Sequence, residues 1–223
     1  MWAIVPIKRF EAAKQRLSPV FSAMERAAAA REMAMRVLNG LAQTHAVEGV
    51  LVVSGEERLR RVAQNLGFDF RLDAEVGLNE ALEDAMRTLS QARAMSLAIV
   101  HADLPLFEAV EFDRIAALHA LGEDRKVTIV PDAAGEGTNL RFCRPGHLLP
   151  PLFGKRSALH HRRAAIEMGV SVEMVTSATL SLDCDTPEDV ERILKIAPQS
   201  LQCLRMASSR SRLKQRRIEG ILS

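Results

Sequence analysis

The sequence predicts an α/β fold with a largely parallel sheet. Short apolar runs rich in β-branched residues alternate with longer segments of helical periodicity, which is typical of strands linked by helices. The chain has 223 residues, a length that suits one α/β domain. Hydrophobic residues make up 48% and charged residues 26%, the balance of an ordinary globular protein with enough apolar material for a core.

Seven short apolar runs are predicted to be strands. They are Ala3–Ile7, Gly49–Ser54, Asp69–Leu72, Leu97–Ala102, Lys126–Pro131, Val170–Val175 and Thr179–Leu182. Between the first two runs, a long helix is predicted from about Met24 to Gln43. It opens with Ser22 and Glu25 at capping-box spacing, in which each side chain satisfies the backbone N–H of the other residue.

Four more helices follow from local start and stop signals. One begins at Asn79 and one follows Glu108. A later helix runs from about Ser157 to Met168 and stops at Gly169, a good C-cap residue. The last begins at Thr186, with Pro187 in the first turn and Asp189 at the third position, where we expect a capping residue.

The charge of the chain is unevenly distributed and divides it into a body, 1–197, and a basic tail, 198–223. Six basic residues and Glu219 give the tail a net charge of +5. Because the formal net charge of the whole chain is +2, the body carries a net charge of −3. The body is therefore not a nucleic-acid-binding surface by bulk charge. The tail is rich in Ser and Arg, and we expect it to be partly disordered.

The compartment predicted from the sequence is the cytoplasm. No apolar stretch approaches the length needed to cross a bilayer, and the N-terminal residues resemble a first strand rather than an export signal. Cys143, Cys184 and Cys203 are odd in number, widely separated and without CxxC spacing. They indicate neither a disulfide framework nor a cysteine zinc site, and a reducing compartment is the simplest interpretation.

Polar residues collect at the predicted carboxyl ends of the strands. In open α/β sheets ligands bind beyond these ends, where loops lead into helices. Four of the five segments found there carry charge suited to phosphate or metal chemistry, and this coincidence predicts a site. The segments are Lys8–Arg16, Gly77–Asn79, Asp103–Pro105, Asp132–Asn139 and Asp183–Asp185.

Three aspartates form a candidate magnesium site. Asp103 follows a buried strand, and Asp183 and Asp185 are two apart at another predicted strand end, where an extended backbone points them the same way. Paired like charges are costly unless a cation joins them, and magnesium prefers oxygen ligands. The alternative for Asp103 is a role in a turn or as a helix cap. For Asp189, in the first helical turn, capping is favoured over metal binding.

Cations on the first loop could neutralise a triphosphate. Lys8, Lys14 and Arg16 come just after the first strand, although the chain has neither a Walker A sequence nor a GxGxxG motif. The alternative is a solvated basic loop.

Two later segments could bind an anion. Gly135 and Gly137 allow close backbone approach to a ligand, and Thr138 and Asn139 can donate to its oxygens, although a plain hairpin turn would look similar. Gly154 and Ser157 lie at a helix start, a favourable anion site where Ser157 could equally be an ordinary N-cap. His161 shares a face with Ser157 and is either functional or, as is commoner for a lone helical histidine, structural.

Together these motifs resemble one family. Val5-Pro6-Ile7-Lys8 with Ala13-Lys14-Gln15-Arg16-Leu17, Gly77-Leu78-Asn79, Asp103-Leu104-Pro105-Leu106, Gly137-Thr138-Asn139, Gly154 with Ser157 and His161, and Leu182-Asp183-Cys184-Asp185-Thr186-Pro187 occur in the order found in it. It is the 2-phospho-L-lactate guanylyltransferase family of coenzyme F-420 biosynthesis, also called phosphoenolpyruvate or 3-phosphoglycerate guanylyltransferase. The resemblance covers about 1–197, and the tail has no counterpart in it.

The resemblance implies a three-layer α/β/α nucleotidyltransferase fold of the glycosyltransferase-A type, Rossmann-like, with a mixed, mostly parallel sheet. It implies GTP as donor, a small phosphorylated acid as acceptor and magnesium as cofactor, with a homodimer as one option. The implied roles are metal binding and catalysis by Asp103, Asp183 and Asp185 with Lys14, nucleotide binding by Lys8, Lys14, Arg16, Gly77 and Asn79, and acceptor binding by Thr138, Gly154, Ser157 and His161. The chain departs from the family at His101-Ala102 and at Arg141.

The sequence leaves two alternatives open. One is a related nucleotidyltransferase that uses another nucleotide or a sugar-phosphate or molybdopterin acceptor. The other is a nucleic-acid or partner-binding protein that acts through the basic tail, which we do not favour because such tails are commonly solvated. The residues do not select among phospholactate, phosphoenolpyruvate and 3-phosphoglycerate.

Overall fold

The computed structural model of the chain describes residues 1–73, 77–91 and 95–205. These residues form one seven-stranded sheet with strand order β3-β2-β1-β4-β6-β5-β7. The strands are β1 (Trp2–Ile7), β2 (Gly49–Ser54), β3 (Asp69–Leu72), β4 (Leu97–Val100), β5 (Lys126–Pro131), β6 (Thr138–Arg144) and β7 (Ser171–Met174). β6 runs antiparallel to both its neighbours and the other pairs are parallel, so the predicted mixed, mostly parallel sheet is confirmed.

Helices cover both faces of the sheet, because side chains along each strand alternate between the two faces. The helices are α1 (Ala23–Leu41), α2 (Leu59–Asn65), α3 (Leu78–Gln91), α4 (Ala109–Ala120), α5 (Ser157–Glu167) and α6 (Pro187–Ile196). Ala3 and Val5 of β1 pack with α1 and α4, whereas Ile4 packs with α3 on the opposite face. Val127 and Ile129 of β5 pack with α5.

The helix boundaries largely follow the local signals in the sequence. The capping box of Ser22 and Glu25 starts α1, and a second box, formed by Thr186 and Asp189, starts α6. Gly169 adopts a φ of 63° just after α5, as a C-cap glycine does. α2 was not among the predicted elements, and β4 and β7 are shorter than predicted.

Two predictions about strands are wrong. Residues 178–181 form a turn rather than the strand predicted at Thr179–Leu182. The Ser177 hydroxyl accepts the N–H of Leu180 at 3.1 Å, a local bond that competes with strand pairing. β6 was missed because Asn139 and Arg141 interrupt its apolar pattern, and the glycine segment before it forms the turn of a β5–β6 hairpin, the alternative that the sequence left open.

The first described residues of the basic tail pack on the body. Leu201 and Leu204 are buried beside Met33 of α1 and Ile193 of α6. Partial disorder was predicted for the whole tail; residues 198–205 are described and pack on the body, and the prediction for 206–223 falls outside the described residues. Among the described helices, none combines the length and the apolar character that spanning a bilayer requires.

Candidate active site

A cleft of about 1030 Å³ opens at the carboxyl end of the parallel strands. Its walls come from the loop after β1, the segment after β4, the β5–β6 turn, the start of α5 and the segment before α6. Lys8, Lys14, Arg16, Asp103, Thr138, Gly154, Ser157, Asp183 and Asp185 all contribute to its lining. The structure thus brings together nine of the twelve residues to which the family resemblance assigns a role.

The three aspartates converge at one end of this cleft. One carboxylate oxygen from each of Asp103, Asp183 and Asp185 lies within 4.8 Å of the others. Asp183 and Asp185 were predicted to follow a strand. In the structure they follow the turn at 178–181 instead. Asn139 of β6 donates from Nδ2 to the carbonyl of Leu180 in this turn at 3.0 Å. The sheet therefore fixes the segment that carries the second and third carboxylates.

Lys14 balances part of this negative charge. Its Nζ donates to Asp103 Oδ2 and to Asp185 Oδ1, both at 2.8 Å, and its side chain is only 6% exposed. Burial by itself would lower the pKa of Lys14, but the two carboxylates outweigh burial and raise it above its usual value. Lys14 also has a φ of 54°, a left-handed backbone conformation that is strained for a residue with a side chain.

The aspartates differ in protonation because only two of them contact Lys14. Burial would raise the pKa of Asp103, yet the ammonium of Lys14 lowers it to about 2. Burial and the neighbouring charges of Asp103 and Asp185 raise the pKa of Asp183 to about 7. Oδ1 of Asp103 is buried without a hydrogen-bond partner among the described residues. The cluster thus has both an unpaired oxygen and a carboxylate that is costly to ionise, and a hard divalent cation would satisfy both.

The other cations of the first loop remain accessible. Arg16 is 72% exposed on its side chain, and its Nη1 lies 3.7 Å from Asp185 Oδ2. Lys8 is exposed and lines the cleft. Both guanidinium and ammonium groups are therefore available to an anion next to the carboxylate cluster.

The β5–β6 turn positions Thr138 on the opposite wall. Asp132 accepts the N–H groups of Glu136 at 2.9 Å and Gly137 at 2.8 Å, which closes the turn. A Cβ at Gly137 would lie 2.6 Å from Asp132 Oδ2, so a larger residue there would displace the carboxylate that closes the turn. Ser157, the first residue of α5, places its Oγ 3.2 Å from Thr138 Oγ1. Ser157 is not the N-cap, which is Arg156.

Asn79 fixes the segment that precedes α5. Its side chain accepts the N–H of Phe153 at 2.9 Å and donates to the carbonyl of the same residue at 3.0 Å. Gly154 follows with a φ of 141°, which only glycine adopts readily. Of the segment Gly77–Asn79, Leu78 contributes to the cleft wall, so the structure gives Asn79 a supporting position.

His161 lies behind Thr138 rather than in the cleft wall. Its side chain is fully buried, with Nδ1 3.1 Å from Thr138 Oγ1 and Nε2 accepting the N–H of Leu152 at 3.0 Å. Phe153 packs edge-on against it, with ring centroids 4.8 Å apart. Sequence reasoning placed Asp132 near the site but gave no role to it or to Phe153, because these roles depend on turn geometry and on packing between distant segments.

Comparison with known proteins identifies the family of the chain. A family model described as "Guanylyl transferase CofC like" matches residues 1–206. The chain belongs to this family. The chain is therefore a nucleotidyltransferase, and the family resemblance inferred from the sequence is confirmed.

Relatives of this CofC-like protein carry three substrate names. It is 36% identical over 201 residues to a phosphoenolpyruvate guanylyltransferase of Conexibacter woesei, covering 87% of each chain. It is 37% identical over 193 residues to a 2-phospho-L-lactate guanylyltransferase of Methanothermobacter thermautotrophicus, covering 86% of this chain and 83% of the relative. A 3-phospho-D-glycerate guanylyltransferase of Phenylobacterium zucineum is 34% identical over 197 residues, covering 86% and 89%.

Two solved structures share the fold of this family member. A Desulfovibrio desulfuricans G20 protein classed with the nucleotide-diphospho-sugar transferases superposes with a TM-score of 0.75 at 18% identity, covering 93% of this chain and 95% of that one. CMP:2-keto-3-deoxy-manno-octonic acid synthetase superposes with a TM-score of 0.57 at 12% identity, covering 88% and 98%. These likenesses confirm the nucleotidyltransferase fold.

Proposed function

We propose that the protein transfers GMP from GTP to a small phosphorylated organic acid, with release of pyrophosphate, as a step of coenzyme F-420 biosynthesis. The observation that carries this proposal is the arrangement of the cleft. The carboxylate cluster with Lys14 lies on one side, and the hydroxyls of Thr138 and Ser157 at the start of α5 lie on the other. The names of the relatives supply the three candidate acids: phosphoenolpyruvate, 2-phospho-L-lactate and 3-phospho-D-glycerate.

Magnesium fits the residues of the cluster. Asp103, Asp183 and Asp185 would hold it, since their oxygens are close together, one of them lacks a partner, and oxygen is the ligand that magnesium prefers. When bound, magnesium would neutralise negative charge on the triphosphate and on the reacting phosphates.

The residues of the chain contribute charge and position rather than a covalent step. A phosphate monoester has a second pKa near 6, so the acceptor is already an anionic nucleophile at neutral pH and needs no general base. Lys8 and Arg16 would bind the triphosphate, and Lys14 would hold two carboxylates of the cluster in place. Thr138, Gly154 and Ser157 would orient the acid so that a phosphate oxygen attacks the α-phosphorus. The new P–O bond forms as the bond to the pyrophosphate oxygen breaks.

The reaction belongs in the cytoplasm on this proposal. The three cysteines are unpaired, and two of them, Cys143 and Cys184, are buried. Free cysteines are usual in a reducing compartment.

A substrate matrix tests the proposed function. Purified protein is incubated with magnesium, each of the four common nucleoside triphosphates and each of the three acids, and pyrophosphate release is measured. We expect release only with GTP and one or more of the acids, together with a product whose mass equals the acid plus GMP minus water. Release with another nucleotide, or no release with any of the three acids, would contradict the proposal.

A further inference from the structure

Three buried side chains form a hydrogen-bonded chain that ends at the acceptor wall of the cleft. The backbone N–H of Leu152 can only donate, so Nε2 of His161, 3.0 Å away, must accept. The ring proton then resides on Nδ1, which donates to Thr138 Oγ1 at 3.1 Å. Ser157 Oγ, 3.2 Å from the same oxygen, completes the set.

The number of protons in this set leaves one hydroxyl donor unused. If Ser157 donates to Thr138, the two lone pairs of the Thr138 oxygen are both occupied and its own proton is free. If Thr138 donates to Ser157, the proton of Ser157 is free instead. Within the described part of the chain neither hydroxyl has a further partner, and both residues are at most 3% exposed and line the cleft. Either arrangement presents one O–H donor to the cleft.

We propose that His161 is a positioning residue whose Nδ1–H makes the Thr138–Ser157 hydroxyl pair an obligatory hydrogen-bond donor to an anionic oxygen of the acceptor acid. The inference rests on the proposed function, and it assigns the polarity of the acceptor site to a residue that does not touch the acceptor. With the opposite tautomer, Thr138 would have to donate its proton to Nδ1. The wall would then lose its free donor and would be less suited to a carboxylate or phosphate.

The surroundings keep His161 neutral and its ring fixed. Burial, together with the charge of Arg141, lowers the pKa of His161 to about 2, so the ring does not take up a second proton at neutral pH. Arg141 is 1% exposed and donates from Nη1 to the carbonyl of Pro150 at 2.5 Å. Its Cζ lies 5.6 Å from the ring centroid of Phe153, which packs edge-on against His161.

Two substitutions at this position separate the positioning role from simple packing. The amide of asparagine falls near the Nδ1 of histidine, and the amide of glutamine falls near Nε2. His161→Asn therefore keeps a donor for Thr138 and loses the contact with Leu152. His161→Gln keeps the contact with Leu152 and loses the donor. Thermal unfolding of both variants checks that each is folded.

The test compares Michaelis constants, using whichever of the three acids the wild-type protein turns over with GTP. His161→Gln leaves the hydroxyl pair with a free proton but no donor at the Nδ1 position to fix its direction, so we expect the KM for the acid to rise about 10-fold, while the KM for GTP changes by about 2-fold or less. The KM for the acid in His161→Asn should stay within about 3-fold of wild type, since the donor to Thr138 is kept. In a Thr138→Val background, exchanging His161 for Gln should have little further effect, because the two residues act as one unit.

Two results would overturn the inference while leaving the proposed function intact. One is equal KM values for the acid in His161→Asn and His161→Gln with normal wild-type turnover. The other is ¹⁵N NMR of the wild-type histidines that places the His161 proton on Nε2. Absence of wild-type turnover with all three acids would instead remove the proposed function, and the acceptor role of His161 with it.

Discussion

Lys14 and Asp103 are 89 positions apart in the sequence, and a hydrogen bond of 2.8 Å joins Nζ of the first to Oδ2 of the second. The same ammonium lies 2.8 Å from Asp185 Oδ1. A buried ammonium requires paired anions, and clustered carboxylates require a cation. These two contacts meet both requirements and link the first loop to the segments after β4 and before α6.

Replacing Lys14 with Met should destabilise the metal-free protein. The substitution leaves Asp103 and Asp185 without their shared cation, and because these carboxylates are partly exposed we expect a loss of about 1–3 kcal/mol in the free energy of unfolding. Urea denaturation in EDTA measures it. Lys195→Met, at an exposed position of α6, serves as the control and should stay within about 0.5 kcal/mol of wild type. A Lys14→Met protein as stable as this control would show that the two contacts contribute nothing.

Replacing Asp183 with Asn should abolish turnover and leave the fold intact. The substitution removes one carboxylate of the proposed metal site, so we expect kcat to fall by at least about 100-fold in the presence of magnesium. The metal-free variant should be no less stable than wild type, because the neutral amide relieves repulsion from Asp103 and Asp185. Asp124→Asn, exposed after α4, is the matched control. Near-normal turnover by Asp183→Asn would contradict a metal role for this residue.

The stability of the metal-free protein should depend on pH through Asp183. Its pKa in the folded protein is raised to about 7 from an ordinary value of 3.8, so the folded state holds a proton that the unfolded state releases. The stabilising effect of that proton is complete below pH 3.8 and is lost as pH rises towards 7. In EDTA, the difference in melting temperature between Asp183→Asn and wild type should therefore grow in favour of the variant from pH 5 to 8.

Magnesium should reverse this trend in the wild-type protein. Because the metal binds the ionised carboxylate, its stabilising effect should be greater at pH 8 than at pH 6. Melting temperatures measured with and without magnesium at the two pH values check this. A magnesium effect that is independent of pH, or one that Asp183→Asn retains, would exclude Asp183 as a titrating ligand.

The sequence was most informative where a local signal determines the structure. Ser22 with Glu25, and Thr186 with Asp189, have side chains that cap the helix they begin, so spacing alone located α1 and α6. The alternation of apolar runs and helical segments predicted the layered fold for the same reason. Asp103 could be placed at the site because it follows the carboxyl end of a parallel strand, β4. Asp183 and Asp185 were grouped with it through a predicted strand that is a turn in the structure.

The sequence was least informative where a residue acts through a distant partner. Asn139 was expected to donate to a ligand, but its amide bonds the carbonyl of Leu180, 41 positions later. Thr179–Leu182 was predicted to be a strand because it continues an apolar pattern, but the N–H of Leu180 donates to the Ser177 hydroxyl and residues 178–181 form a turn instead. The partnership of His161 with Leu152 and Thr138 likewise exists only after the chain has folded.

Replacing Asn79 with Ala should weaken acceptor binding more than nucleotide binding. The side chain makes two hydrogen bonds to the backbone of Phe153, directly before Gly154 and the start of α5. Their loss leaves a backbone N–H and a carbonyl without these partners, so we expect a decrease in stability of about 1–3 kcal/mol. A displaced Gly154 should raise the KM for the acid about 5-fold to 20-fold, with a smaller change for GTP.

A graded pair of substitutions strengthens this comparison. Asn79→Asp keeps an acceptor for the N–H of Phe153 and loses the donor to its carbonyl, so its effects should lie between those of wild type and Asn79→Ala. Asn65→Ala, at an exposed position at the end of α2, is the control. Steady-state kinetics with each substrate varied in turn supply the constants. If Asn79→Ala raised the KM for GTP alone, the nucleotide-binding role implied by the family resemblance would be correct, and the role of Asn79 in fixing the acceptor loop would be wrong.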